Sequence, residues 1–136
     1  MTSDVTIRHY MTRQLVLLRP DMDLHEAMQL FIERDISGAP VVDEHGSLVG
    51  ILSDRDCFRA AVRSGYYAEP WGTVAAHMSG PVETLDADTA VIEAVETFYQ
   101  RPYRRYPVVS GGRLVGLIAR RDVLRALAAL ARGADA

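Results

Sequence analysis

The chain repeats itself. Thr6, Met11, Asp21, Glu26, Phe31 and Arg34 recur as Thr73, Met78, Asp88, Glu93, Phe98 and Arg101, each 67 residues further on, and Pro40-Val41-Val42 recurs as Pro107-Val108-Val109. One residue is dropped in the next loop. After it Gly46, Leu48, Val49, Gly50, Arg55, Asp56, Arg59 and Ala60 return 66 residues later as Gly112, Leu114, Val115, Gly116, Arg121, Asp122, Arg125 and Ala126. A single gap placed in a loop marks a duplicated unit. The unit is longer than the roughly 20–50-residue period of a solenoid, and two copies cannot build an array, so two similar units packed on each other are expected.

Periodicity assigns the same order of elements to both copies. Leu15–Leu18 and Val82–Leu85 are short apolar runs that predict a strand, and Pro20-Asp21-Met22-Asp23 is turn chemistry leading into a helix. In that helix Leu24, Ala27, Met28 and Phe31 fall at i, i+3, i+4 and i+7, a core stripe that Val91, Ala94, Val95 and Phe98 repeat. Val41-Val42 and Leu48–Leu52 flank the loop Asp43–Ser47, and Val108-Val109 and Leu114–Ile118 flank Ser110–Arg113, whose Gly111-Gly112 is a hairpin signal. Each copy closes with a helix, over 54–64 or 120–132. The expected fold is α+β, with strand, helix, strand, strand, helix occurring twice. Its parts are a first domain over 5–64, a connection over 65–77 that includes the start of the second repeat, and a second domain over 78–132. One unit's helices only partly cover a three-stranded sheet, so the second copy is expected to complete the core.

Composition narrows the function classes. The 136 residues carry 15 Lys+Arg against 18 Asp+Glu, and a net charge of −3 argues against a nucleic-acid surface or an anionic membrane as partner. The apolar stretches are far shorter than the roughly 18 residues of a membrane span. Cys57, the single cysteine, cannot form an internal disulfide, and the polar first ten residues do not read as a signal peptide, so a reducing, cytoplasmic setting is expected.

Two places carry candidate chemistry. Ser53 and Asp56 stand at a strand-to-helix junction, where free backbone N–H groups favour a polar or anionic ligand. The same Ser-x-x-Asp is also a capping-box pattern. The second copy replaces the serine with Ala119 and keeps Asp122. Alanine cannot accept a hydrogen bond at an N-cap, so helix-dipole stabilisation and a carboxylate kept for the two hydroxyls of a ribose both remain open as reasons for the acid. The second place is Gln100-Arg101-Pro102-Tyr103-Arg104-Arg105-Tyr106, where the first copy has only Asp35-Ile36-Ser37-Gly38-Ala39. An arginine fork suits phosphate and a tyrosine ring offers a stacking face, while a solvated loop with surface ion pairs is the plain alternative.

Taken in order, the Met-Thr and Met-Ser starts (Met11-Thr12, Met78-Ser79), the Pro-Val-Val strand and the Gly-apolar-apolar-x-x-x-Asp junction resemble a tandem pair of CBS (cystathionine β-synthase) domains over about residues 5–132. The resemblance implies two β-α-β-β-α domains packed through their sheets with pseudo-twofold symmetry, commonly dimerised. It implies an adenine nucleotide such as AMP, ADP or ATP in the inter-domain cleft, with S-adenosylmethionine or NAD in fewer members, and no resident cofactor. Position by position, Asp56 and Asp122 match the ribose-binding acid, Ser53 the hydroxyl residue before it, and Arg104 and Arg105 the phosphate-contacting positions. Thr12, Arg13, Leu15, Ile36, Ser37, Gly38, Ala39, Gly80, Pro81, Val82, Tyr103 and Ile118 would line the adenine pockets, largely through backbone groups. Ala119 and Ser37-Gly38 depart from the pattern, so neither cleft is complete and one working cleft is expected rather than two.

Nothing in the sequence assembles a nucleophile, base and orienter, so an enzyme is not expected. His9, His25, His45 and His77 lack metal-ligand spacing, so no metal site is expected either. Cys57 reads as a small buried thiol, Trp71 with Tyr66-Tyr67 as packing groups, and Val123, Leu124, Leu127 and Leu130 as a seam for a homodimer. The expected function is a regulatory sensor of an adenine nucleotide. The alternative is a protein-interaction module that docks on a partner enzyme or transporter without nucleotide.

Overall fold

The computed structural model describes residues 5–65, 71–80 and 82–133. Among them are helices α1 (Leu24–Arg34), α2 (Asp54–Ser64), α3 (Val74–His77), α4 (Val91–Gln100) and α5 (Arg120–Ala131) and strands β1 (Gly38–Val42), β2 (Leu48–Ser53), β3 (Leu85–Asp86), β4 (Arg105–Ser110) and β5 (Arg113–Ala119). They form two compact units. One is Val16–Val82, and the other joins Met1–Leu15 to Glu83–Ala136.

In the Val16–Val82 unit, β1 and β2 form an antiparallel hairpin that pairs Gly38 with Ser53 and Val41 with Gly50. Its turn is held by the Asp43 carboxylate, which accepts from the backbone N–H groups of His45 and Ser47, both at 2.9 Å. α1 starts where the Asp23 carboxylate accepts from His25 N and ends at Asp35, whose φ of 53° is left-handed. Leu24, Ala27 and Phe31 are buried with Leu18, Val41, Leu52 and Val74, while Met28 and Trp71 pack against this core from its edge. In the other unit, β3 runs parallel to β4, and β4 pairs antiparallel with β5 through the left-handed glycines Gly111 and Gly112. Val91, Ala94 and Phe98 of α4 lie in or on its core with Tyr106, Val108, Ile118 and Val123.

The first strand of each repeat is shorter than its apolar run predicts. At Leu15–Leu18 only Leu18 bridges to Val41, and in place of Val82–Leu85 the strand is Leu85–Asp86 opposite Val108-Val109. Leu18 N donates to Pro40 O at 3.0 Å and Leu18 O accepts from Val42 N at 2.9 Å, after which the chain turns away at Pro20, which has no N–H to continue a ladder. The Val16–Val82 sheet proper is therefore two-stranded, not three-stranded. The connection over 65–77 also holds the short helix α3, the repeat of the 3-10 turn Ile7–His9; Tyr66, Tyr67 and Pro70 lie outside the described residues.

The compact units are offset from the sequence repeats, because the leading segment of each repeat packs with the sheet and turn of the other. In the Glu83–Ala136 unit, Ile7 N donates to Thr89 O (3.0 Å), Arg8 N to Ala87 O (3.1 Å), and Thr12 exchanges backbone bonds with Leu117 (2.8 and 3.0 Å). In the other unit, Val74 N donates to Met22 O (2.8 Å), Ala75 N to Pro20 O (2.9 Å), and Ser79 exchanges bonds with Ile51 (2.9 and 3.0 Å). Every one of these bonds has its repeat-equivalent. Ile7 and Val74, carried by the docked segments, are buried, a contribution of about 1.5–3 kcal/mol each.

The docking requires a bare backbone on the receiving strand. A Cβ at Gly116 would stand 2.6 Å from Met11 Sδ and 2.9 Å from Thr12 O, and at Gly50 it would stand 2.5 Å from Met78 Sδ and 3.0 Å from Ser79 O. The sulfur can move, but the carbonyl oxygens are fixed by the ladder. Gly116→Ala and Gly50→Ala are each expected to lower unfolding stability by about 1–3 kcal/mol, as overpacking does. Urea-denaturation midpoints equal to that of the unaltered chain would show that the close approach is not a constraint.

Candidate functional site

Each unit ends its hairpin in a strand-to-helix junction, and a backbone bond ties the preceding loop to the helix start. Asp54 N donates to Ser37 O at 2.9 Å in one unit, and Arg120 N donates to Arg104 O at 3.0 Å in the other. Ser37 and Arg104 are thus placed alike, beside the first residue of α2 and α5.

At the first junction the reciprocal cap is complete. Asp56 Oδ2 accepts from Ser53 N (2.8 Å) and Ser53 Oγ (3.1 Å), while Ser53 Oγ accepts from Asp56 N (3.3 Å). Asp56 Oδ1 takes both terminal nitrogens of Arg59, Nη1 at 2.7 Å. An ionised carboxylate has about four acceptor positions, and here all are occupied. Asp56 is buried, with only 4% of its surface exposed.

At the second junction half the cap is missing. Asp122 Oδ2 accepts from Ala119 N (2.8 Å) and Oδ1 from Arg125 Nη2 (2.8 Å), but no side-chain hydroxyl stands at 119. Among the described residues each Asp122 oxygen accepts one bond, and the side chain is 16% exposed against 6% for Asp56. Arg125 Nη2 also reaches Tyr10 O at 3.5 Å, so the arginine ties the acid to the leading segment. The role of Arg59 and Arg125 was legible only as an Asp-x-x-Arg spacing shared by both repeats.

The structure sorts the remaining candidates by unit. With Asp122 belong Thr12, paired to Leu117; the exposed Arg13, which donates to Arg8 O at 3.5 Å; Leu15; Tyr103; Arg104; Arg105; and Ile118. With Ser53 and Asp56 belong Ile36, Ser37, Gly38, Ala39, Gly80 and Val82, whereas Pro81 lies outside the described residues. The side chains of Ile118 and Ala39 are in the cores, which leaves them no side-chain surface for a ligand. Gly80 lies close on β2, where a Cβ would be 2.9 Å from Val49 O. In the arginine loop, Arg101 pairs with Glu83 at 3.3 Å, Arg105 faces Ala119 across the ladder, and the exposed Arg104 makes no ion pair among the described residues.

Tyr103 stands edge-to-face with Tyr106 at 5.7 Å, and Tyr106 with Phe98 at 5.1 Å. The buried Tyr106 hydroxyl has no hydrogen-bond partner among the described residues, and desolvation, then the nearby Glu83 charge, raises its pKa. Burial, then the Asp56 and Asp54 charges, pushes the Cys57 thiol up to about 11. That makes it a poor nucleophile, with its thiolate scarce at neutral pH. Among the described residues no group of three or more His, Cys, Asp or Glu is placed to hold a metal, and no helix is long and apolar enough to cross a membrane. Of the expected seam, Val123 is buried in its own unit's core at the floor of an open groove of about 370 Å³ that Leu124 and Leu127 line with Val95, Phe98, Tyr99 and Arg120, and Leu130 is half-buried.

Residues 7–63 and 73–129 each match the family profile described as CBS domain. The chain is 31% identical over 158 residues to the chloroplastic CBS domain-containing protein CBSX1 of Arabidopsis thaliana, covering 96% of this chain and 67% of that protein. It is 28% identical over 124 residues to an uncharacterized protein of Methanocaldococcus jannaschii, covering 89% of this chain but only 42% of that protein. Among solved structures it is similar to CBSX2 of Arabidopsis thaliana in complex with AMP, with TM-score 0.82, 26% identity, and 93% of this chain and 98% of that chain covered. The CBS domain pair of protein MJ0100, in complex with 5′-methylthioadenosine and S-adenosyl-L-methionine, shares the fold at TM-score 0.80 and 24% identity, covering 93% and 98%.

The two acids should differ in what they contribute to stability. Asp56→Ala removes a full capping box from a buried site and is expected to cost about 1–3 kcal/mol, against about 0.5–1 kcal/mol for Asp122→Ala. Equal losses in urea denaturation would contradict the difference in capping. For Cys57, the folded state holds the thiol proton up to about 11, whereas an unfolded thiol releases it near 9.0. The unfolded chain therefore binds fewer protons in that window, and stability should fall as pH rises from about 9 to about 11. Cys57→Ala should flatten part of this fall, and an unchanged pH profile would refute it.

Proposed function

This chain belongs to the CBS-domain family, and from that premise we infer that it works as a non-catalytic regulatory module that binds an adenosine-type ligand. The observation that carries the reading is the strand-to-helix junction with an acid three residues into the turn, present in both units and set in a fold that matches the AMP-bound CBSX2 across 93% of the chain. Vicinal ribose hydroxyls are paired donors, and a fixed carboxylate is the acceptor that suits them. An adenine ring leaves little side-chain trace when it is read by backbone groups, which is consistent with the apolar and small residues around these junctions. Ligand binding regulates by its different affinity for two conformational or assembly states.

A second reading has its own observation. Leu124 is 63% exposed and Tyr99 90%, so the α4–α5 groove offers an apolar face on which a partner or a second copy could dock without nucleotide.

Calorimetric titration of the purified chain with AMP, ADP, ATP, NAD and S-adenosylmethionine tests the first reading. Saturable micromolar binding of an adenine nucleotide is the expected result. No heat from any of the five overturns it. Recovery of one stoichiometric partner regardless of added nucleotide would then favour the docking module.

A further inference from the structure

We infer that Met78 is a modification site: oxidation of its thioether to the sulfoxide releases segment 73–80 from β2, a reversible redox latch that the repeat-equivalent Met11 does not share.

Both methionines lay their sulfur on a strand glycine. A Cβ at Gly50 would stand 2.5 Å from Met78 Sδ, and one at Gly116 2.6 Å from Met11 Sδ, so each thioether fills the space a side chain on the strand would take. The backbone around Met78 is already engaged. Ser79 and Ile51 exchange both of their bonds, at 2.9 and 3.0 Å, and Gly50 stands opposite Val41 in the ladder. A thioether is a weak acceptor and needs no partner there. A sulfoxide is polar, and packing its oxygen where no donor is available costs free energy that water repays once the side chain lifts off the strand.

Access separates the two sulfurs. Met11 is buried, with 9% of its surface exposed, whereas Met78 is half-buried at the edge of its core. Met22 and Met28 are half-buried at the same edge, but neither is a nearest neighbour of a strand glycine. The single thiol, Cys57, is buried and holds its proton up to about 11, so its reactive thiolate is scarce at neutral pH.

The step balances with a two-electron oxidant of the peroxide class. A lone pair on Met78 Sδ attacks one oxygen of hydrogen peroxide, the S–O bond forms as the O–O bond breaks, and the departing hydroxide takes the proton of the transferred oxygen and leaves as water. Sulfur is oxidised and peroxide reduced. Methionine sulfoxide reductases reverse the change. Its consequence is confined to one unit. Segment 73–80 is held by Val74 N on Met22 O, Ala75 N on Pro20 O and the Ser79–Ile51 pair, with Val74 fully buried, and all of these lie within Val16–Val82. The segment that carries Met11 stays docked on β5.

Treatment of the purified full chain with dilute hydrogen peroxide, followed by peptide mass mapping and amide hydrogen exchange, tests the latch. Met78 should gain one oxygen several-fold faster than Met11. Exchange at Val74, Ala75, Ser79 and Ile51 should then speed up by about tenfold, the scale of one lost polar contact in a local opening, while Ile7, Arg8, Thr12 and Leu117 keep their protection. Treatment with sulfoxide reductases should restore the slow exchange. Met78→Leu, close in volume, should stay docked and lose the response, whereas Met22→Leu and Met28→Leu should keep it. Met11 oxidised as fast as Met78 overturns the inference. So does unchanged exchange at Val74 and Ser79 in the chain oxidised at Met78, a response that survives Met78→Leu, or one that is lost in Met22→Leu or Met28→Leu. Exchange is read on the unaltered chain, so the outcome stands even where Met78→Leu fails to fold.

Discussion

The docking of each repeat's leading segment on the other repeat's strand is the interaction on which the rest of this structure depends. Thr12 on Leu117 and Ser79 on Ile51 satisfy backbone groups of β5 and β2 that would otherwise form sheet edges, and Ile7 and Val74 bury their side chains as they do so. Neither repeat as bounded in the sequence is a complete packing unit. Gly116 and Gly50 are glycines because the docked carbonyls leave no room for a Cβ. The junctions that carry Asp122 and Asp56 follow directly from those strands, so the geometry of both candidate sites is inherited from the docking.

Within that frame one atom separates the two junctions. Strand, turn and helix superpose in hydrogen-bond pattern, and both acids accept from the backbone N–H three residues earlier at 2.8 Å. The Ser53 hydroxyl then uses a further acceptor position that Ala119 cannot. A capping residue is usually read as a matter of helix stability alone. Here the same group also determines how many acceptor positions of the carboxylate are occupied.

Much of this was legible in the sequence because it depends on neighbours a few residues apart. The α1 and α4 stripes, the Gly111-Gly112 hairpin and the start of α2 at Asp54 all follow from spacing and turn chemistry, and the structure has them in place. The first strands are shorter than their apolar runs suggest: a run such as Leu15–Leu18 has the same pattern whether one residue or four find a partner, and the turn at Pro20 limits it to Leu18. Arg59 and Arg125 were hidden for a different reason. An arginine one turn along a helix usually sits on a solvated face, and nothing local says that its partner is buried.

What the sequence determined by itself is the duplicated α+β unit, its order of elements and the paired acids, since periodicity, capping and turn residues act over short range and are written twice. Tertiary structure alone decided which leading segment meets which strand. The two segments are near-copies, so either sheet satisfies the same apolar and hydrogen-bonding pattern, and the choice belongs to long-range chain geometry. It also decided the state of each carboxylate, because occupancy of a lone pair depends on burial and on an arginine's reach in space, neither of which a linear pattern contains.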